Sequence, residues 1–89
     1  MKNPYKDTRV NDKKFMRTFL KETDGSYFVW HRDEEDRKIT VLHGHGWKFQ
    51  REDELPVDLK LGEVFDIGKN DWHRLIKGNS DLILLIERL

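Results

Sequence analysis

The sequence predicts an all-β domain, a sandwich or barrel of short strands, on three observations. Runs rich in β-branched and aromatic residues recur at roughly 8–12 residue spacing. Turn chemistry separates them: Asp24-Gly25, Asp33–Asp36, Gly44–Gly46, Arg51–Pro56, Leu61-Gly62, Gly68–Asp71 and Gly78–Asp81. No long window carries the 3.6-residue apolar period of an amphipathic helix.

In chain order, the predicted strands are Phe15–Leu20, Tyr27–His31, Lys38–His43, Trp47–Gln50, Val57–Leu59, Val64–Ile67, His73–Ile76 and Leu82–Leu89. Asp24-Gly25 fits a hairpin turn, because glycine takes positive φ without steric cost. Leu82–Ile86, with Leu89, is too apolar to be exposed on both faces, which assigns it to the core or to a seam between two copies. Residues 1–14 are polar and charged and read as an N-terminal arm, with an edge strand as one role. The barrel domain is then 15–89.

The 89 residues fit one domain. A chain of this size buries only about 60–65% of its unfolded surface. It has no cysteine, so neither a disulfide nor a thiolate ligand is available. Pairing of copies covers exposed edges and apolar patches in such small barrels, so a homodimer is expected. Three Trp, two Tyr and five Phe argue for a packed core rather than disorder. Seventeen Lys plus Arg balance seventeen Asp plus Glu, which leaves no basic footprint for nucleic acid. The N-terminus lacks the apolar stretch of a signal peptide, and the longest apolar run is too short to cross a bilayer. The expected setting is the cytoplasm, away from membranes. No glycine-rich phosphate loop, serine elbow or dinucleotide fingerprint is present.

Two segments resemble the paired motifs of the cupin superfamily. The first motif, G-x5-H-x-H-x(3,4)-E-x6-G, aligns without a gap on Gly25, His31, Asp33, Arg37 and Gly44. Asp33 stands where the second His belongs, and Arg37 where the Glu belongs. The second, G-x5-P-x-G-x2-H-x3-N, aligns on Gly62, Gly68, Asn70, His73 and Lys77. Gly62 and His73 match. Gly68 and Asn70 are turn formers able to present His73. The strand-and-turn texture of Ile39–Gly46 and of Trp72-His73-Arg74 is also similar to the family's. The resemblance covers residues 25–77 and implies a single-domain, cupin-type jelly-roll β-barrel.

The same resemblance implies a divalent metal inside the barrel. Residues i and i+2 of a strand share a face, so His31 and Asp33 would both look inward, with His73 arriving from a neighbouring strand. Two imidazoles and a carboxylate suit iron, zinc, nickel or manganese. Arg37 opposes this set, because guanidinium cannot ligate and repels a cation. Glu35 is a further carboxylate for the vacant ligand place. His43 and His45 form an H-x-H pair at a strand end, where His43 would reach the pocket mouth. Trp30 and Trp72 each precede a motif histidine, so an inward histidine turns each indole outward.

Three readings stay open. One is a metal-binding cupin acting on or sensing a small molecule, an oxygenase or isomerase by family analogy if it is an enzyme. Another is a metal-free module in which Arg37, whose fork suits carboxylates and phosphates, joins His73 in holding an anion or sugar derivative. The last is a structural or regulatory partner protein that uses the barrel as a scaffold.

Overall fold

The computed structural model describes residues 4–89. Its strands are β1 (Lys6–Arg9), β2 (Lys14–Phe19), β3 (Arg37–His43), β4 (Lys48–Arg51), β5 (Val57–Asp58), β6 (Val64–Ile67), β7 (His73–Ile76) and β8 (Leu82–Arg88). They form a five-stranded sheet in the order β1-β2-β8-β3-β6 and a three-stranded sheet in the order β5-β4-β7. All pairings are antiparallel. The two sheets face each other as a jelly roll without closing into one ladder.

Period-two alternation explains why these segments become strands. On β2, Phe15 and Phe19 are buried; on β3, Ile39 and Val41; on β8, Leu82, Leu84 and Ile86. These residues meet Trp47, just before β4, and Phe49 on β4 in one core cluster. Each such burial stabilises the fold by roughly 1.5–3 kcal/mol. Trp47 is only 1% exposed, and its indole N–H donates to the Ser80 carbonyl at 2.8 Å. Gly78 is required beside it: a Cβ there would lie 2.4 Å from the His45 carbonyl oxygen and 2.5 Å from the Trp47 nitrogen.

Residues 1–3 of the N-terminal arm lie outside the described residues. Further along the arm, β1 pairs with β2 at the edge of the large sheet, all four of its residues exposed. The Asn11 side chain accepts from the Lys13 and Lys14 backbone N–H groups, closing the turn between them.

The structure corrects one predicted strand. Tyr27–His31 does not enter a sheet. Asp24 caps a single 3-10 turn, Gly25–Tyr27, by accepting from the Ser26 N–H at 2.9 Å, so Asp24-Gly25 is a cap and not a hairpin turn. The chain then touches β7 through one isolated bridge, His31 to His73. The ladder goes no further because the next residues are bound to the Gly68–Asp71 turn instead. Asn70 N–H donates to the Asp33 carbonyl at 2.7 Å, and Lys69 N–H donates to the Asp36 carboxylate at 2.7 Å.

Candidate functional site

Between the sheets lies a cavity of about 320 Å³, walled mostly by apolar side chains such as Phe19, Phe49, Phe65 and Leu84. His31, Asp33 and His73 converge on it. One ligand-capable atom from each lies within 4.8 Å of the other two. The bridge sets the two histidines opposite each other by reciprocal backbone hydrogen bonds of 3.0 and 2.9 Å. Their rings stand 4.4 Å apart, edge to face. Asp33 is brought in by the Asn70 bond, and Asn70 itself sits at φ 63°, a left-handed turn conformation that asparagine tolerates. The side chains of His31 and Asp33 therefore meet through a bridge and a turn, not by strand alternation.

The protonation of the rings follows from their partners. His73 Nδ1 lies 2.8 Å from the Asp71 carbonyl and His31 Nδ1 lies 3.0 Å from the Val29 carbonyl. A carbonyl only accepts, so each Nδ1 carries a proton and donates. In neutral imidazole the other nitrogen, Nε2, is then a lone pair. His73 Nε2 sits 3.3 Å from Asp33 Oδ2. That oxygen is buried, yet no neighbour meets hydrogen-bond geometry toward it. Two lone pairs and an unsatisfied carboxylate oxygen thus share one small volume. The Arg37 guanidinium, 3.5 Å from this oxygen, offsets part of its charge, and a proton on Nε2 or a metal ion between the three side chains would offset the rest. Backbone carbonyls that fix the tautomer are the usual outer support of metal-binding histidines.

Asp33 is held below the ordinary carboxylate range. The main cause is a hydrogen bond from His73, which applies when Nε2 carries a proton; burial opposes it, and the Arg37 charge adds to it. Arg37 Nη1 is 3.5 Å from Asp33 Oδ2. Its Nε and Nη2 both donate to Glu35 Oε1, at 3.1 and 3.0 Å. Glu35 also accepts from Arg88 Nε at 3.2 Å. Glu35 is therefore engaged by two guanidiniums and stands outside the His31–Asp33–His73 group, which corrects its place as a spare ligand. It serves instead as the counterion of Arg37, drawing that charge partly away from Asp33.

His43 is exposed, pairs with Ile83 across β3 and β8, and does not line the cavity. A register shift between Val41 and His43 ends the regular alternation of β3 there, so the pocket-mouth position is corrected too. His45 works through its backbone, accepting from Asn79 N–H and donating to Ser80 Oγ. Trp30 and Trp72 are each 39% exposed on the outside of the barrel. An arginine stacks on each: Arg74 over Trp30 at 4.8 Å and Arg32 over Trp72 at 5.2 Å.

One cavity residue escaped the sequence reading. Arg17 lines the cavity, stacks 3.6 Å from the Tyr5 ring centre and pairs with Asp7 at 2.8 Å. The signal was present: Arg17 lies two residues from both Phe15 and Phe19, so alternation turns it inward with them.

Fold and site together define a small jelly-roll protein with a histidine–carboxylate cluster inside its barrel. Comparison with solved structures gives this architecture its name. The chain is similar to an RmlC-like cupin family protein with a double-stranded β-helix fold from Methanocaldococcus jannaschii (TM-score 0.70, 14% identity, 98% of this chain and 82% of that one). It is also similar to a cupin-2 domain containing protein from Shewanella frigidimarina (TM-score 0.69, 21% identity, 96% and 79%). A structure of DMSP lyases matches with a TM-score of 0.70 at 15% identity over 84% of this chain, which spans 36% of that longer chain. No protein-family profile and no curated protein matches the sequence. The chain has the cupin fold.

Proposed function

We propose that this chain is a small metal-binding cupin-fold protein that takes a small molecule into its barrel. The observation that supports it is the convergence of His31, Asp33 and His73, one ligand-capable atom of each lying within 4.8 Å of the other two. Its donor set of two imidazoles and one carboxylate fits a divalent iron, zinc, nickel or manganese ion and leaves positions open for a ligand. When bound, such an ion polarises an oxygen of the small molecule. The chain's own residues do the rest. Nδ1 of each histidine holds its ring in place, the apolar walls exclude water, and Arg37 keeps a fixed positive charge at the position next to Asp33.

The test is elemental analysis of the purified, untagged protein after loading with each metal in turn and dialysis. The expected result is close to one metal per chain, lost in His73→Ala and in Asp33→Asn. No retained metal under any loading would overturn the reading.

A second reading has its own support. Arg17 and Arg37 both reach the cavity, with side chains 15% exposed. Without metal, a proton on His73 Nε2 would neutralise Asp33 and leave the guanidiniums facing a small carboxylate or phosphate. This reading expects thermal stabilisation of the metal-free protein by such anions, lost in Arg37→Ala.

A further inference from the structure

A second concavity lies on the outside of the barrel. It is an open groove of about 610 Å³ between the 52–55 turn and the indoles of Trp30 and Trp72. No residue lines both this groove and the histidine cavity. The bridge between His31 and His73 builds it. Both histidines line the cavity, so the residue before each turns outward, and the two indoles meet in one patch. The turn is tied beside them through its backbone, the Glu52 N–H donating to the Trp72 carbonyl at 3.0 Å. Gln50 braces the groove from β4. Its amide nitrogen donates to the Glu54 carbonyl at 2.9 Å, and its amide oxygen accepts from Arg74 Nε at 2.9 Å, while Arg74 lies over Trp30.

The groove divides into an apolar part and a charged part. Trp30 and Trp72 supply the first together with Leu55, which is 85% exposed. The second is three successive carboxylates, Glu52, Asp53 and Glu54, all exposed. Among the described residues none of the three forms an ion pair. Three arginines stand near, and each is engaged elsewhere: Arg74 on Trp30 and Gln50, Arg32 on Trp72, and Arg51 on the Asp66 carbonyl. Asp58, on the neighbouring strand β5, does have its cation, Lys48. The turn is thus left with uncompensated negative charge directly beside exposed apolar surface.

We infer that this groove docks a basic segment of another protein, with an apolar side chain of the segment resting on Trp30, Trp72 and Leu55 and its lysine or arginine side chains meeting Glu52, Asp53 and Glu54. Charge complementarity selects the occupant. Three unpaired carboxylates on one turn attract a cationic partner and orient its approach. The indoles favour the same sign, because an aromatic face attracts a cation, as the two arginines already stacked on them demonstrate. An apolar centre built on tryptophan with a charged rim is the anatomy of a protein interface, and tryptophan is among the residues that dominate binding there. A neutral sugar would use the indoles and leave the three charges without a partner. An anion, the ligand that Arg37 suits inside the barrel, is repelled here. Groove and cavity therefore select opposite charges, and docking in the groove needs no metal.

The indole N–H signals in proton–nitrogen NMR of the full chain test it. Trp30 and Trp72 report on the groove; Trp47, buried with its N–H on the Ser80 carbonyl, is the internal control. The probes are short capped peptides with lysine or arginine on both sides of one leucine or phenylalanine, and the same peptides with glutamine in place of every basic residue. The basic peptides are expected to move the Trp30 and Trp72 signals to saturation and leave Trp47 in place. The glutamine peptides are expected to bind at least about tenfold less tightly, as is any basic peptide to the double variant Glu52→Gln, Glu54→Gln. That variant removes no ion pair, and an unmoved Trp47 signal confirms that it folds as wild type does. Raising NaCl from about 50 to about 500 mM is expected to weaken wild-type binding as well. No movement of the two signals with basic peptides at about 1 mM, where even a millimolar affinity would show, overturns the inference. So does equal binding of the glutamine peptides, or a double variant that binds like wild type. Movement of the two signals by a neutral oligosaccharide such as maltotriose, with none by the basic peptides, also overturns it and makes the groove a sugar platform.

Discussion

The molecule has two histidine pairs, and they differ in what they converge on: His31 is exposed like His43 and His45, but its partner His73 is buried. His43 and His45 are two residues apart, and both are exposed, one on a bulged strand end and one in a turn. His31 and His73 are forty-two positions apart in the sequence, yet their rings lie 4.4 Å from each other beside a buried carboxylate. Nearness along the chain gave the first pair nothing to hold in common. The second pair is held by a reciprocal backbone bridge, and each ring is fixed by a carbonyl behind it. A site needs convergence of lone pairs and support for them, and spacing alone supplies neither.

Substitutions sharpen this contrast. His73→Ala should have the largest effect. The ring is 4% exposed, packs against His31 and Phe49, and is the nearest group to Asp33 Oδ2. Its loss should abolish metal retention and lower stability by about 2–3 kcal/mol, read from urea denaturation, because it leaves a void and a buried carboxylate facing Arg37 alone.

Asp33→Asn comes next. It keeps the shape but removes the charge, and metal affinity measured by competition with a chromophoric chelator should fall by at least about 100-fold. The same variant has a pH signature. Because the folded-state carboxyl is held below its ordinary value of 3.8, it stabilises the fold at pH above that value, and the contribution disappears as pH falls through the lowered one. Wild type should therefore lose stability on acidification in a step that Asp33→Asn lacks, visible in urea midpoints collected from pH 5 down to pH 2.

Glu35→Gln should have an intermediate effect. Freed from its counterion, Arg37 turns its full charge toward Asp33, and metal affinity should fall about tenfold while stability changes by about 1 kcal/mol or less. An unchanged affinity would show that Glu35 does not restrain Arg37. His43→Ala and His45→Ala should do least: metal content unchanged, and stability within about 0.5 kcal/mol of wild type. Metal loss in either variant would erase the distinction between the two pairs.

Much of the fold was legible in the chain because strand alternation is a local property. Phe15, Phe19, Ile39, Val41, Leu82, Leu84 and Ile86 announce their sheet by spacing alone, and the runs from β2 to β8 follow. The segment before His31 misled for the same reason. Tyr27–His31 has strand composition, but its neighbours Asp33 and Asp36 found hydrogen bonds in the Gly68–Asp71 turn, and no local rule reports that competition. Arg17 was legible and overlooked, since an arginine between two core phenylalanines reads as an exception until a cavity gives it a place.

The sequence by itself determined the fold class, the strand order along the chain, the motif register that singles out His31, Asp33, Arg37 and His73, and the outward turn of Trp30 and Trp72. The fold class and strand order follow from periodicity and turn chemistry, which act over a few residues; the register of the four site residues follows from the resemblance to the cupin motifs. Only the tertiary structure decided that Glu35 belongs to Arg37 and Arg88, that His43 lies away from the cavity, and that Asp33 is left with an unsatisfied oxygen between two imidazoles. It also brought Trp30 and Trp72 into one groove with Glu52, Asp53 and Glu54. Hydrogen-bond partnership and charge balance depend on distances across strands that are remote in sequence, and those distances exist only once the two sheets have come together.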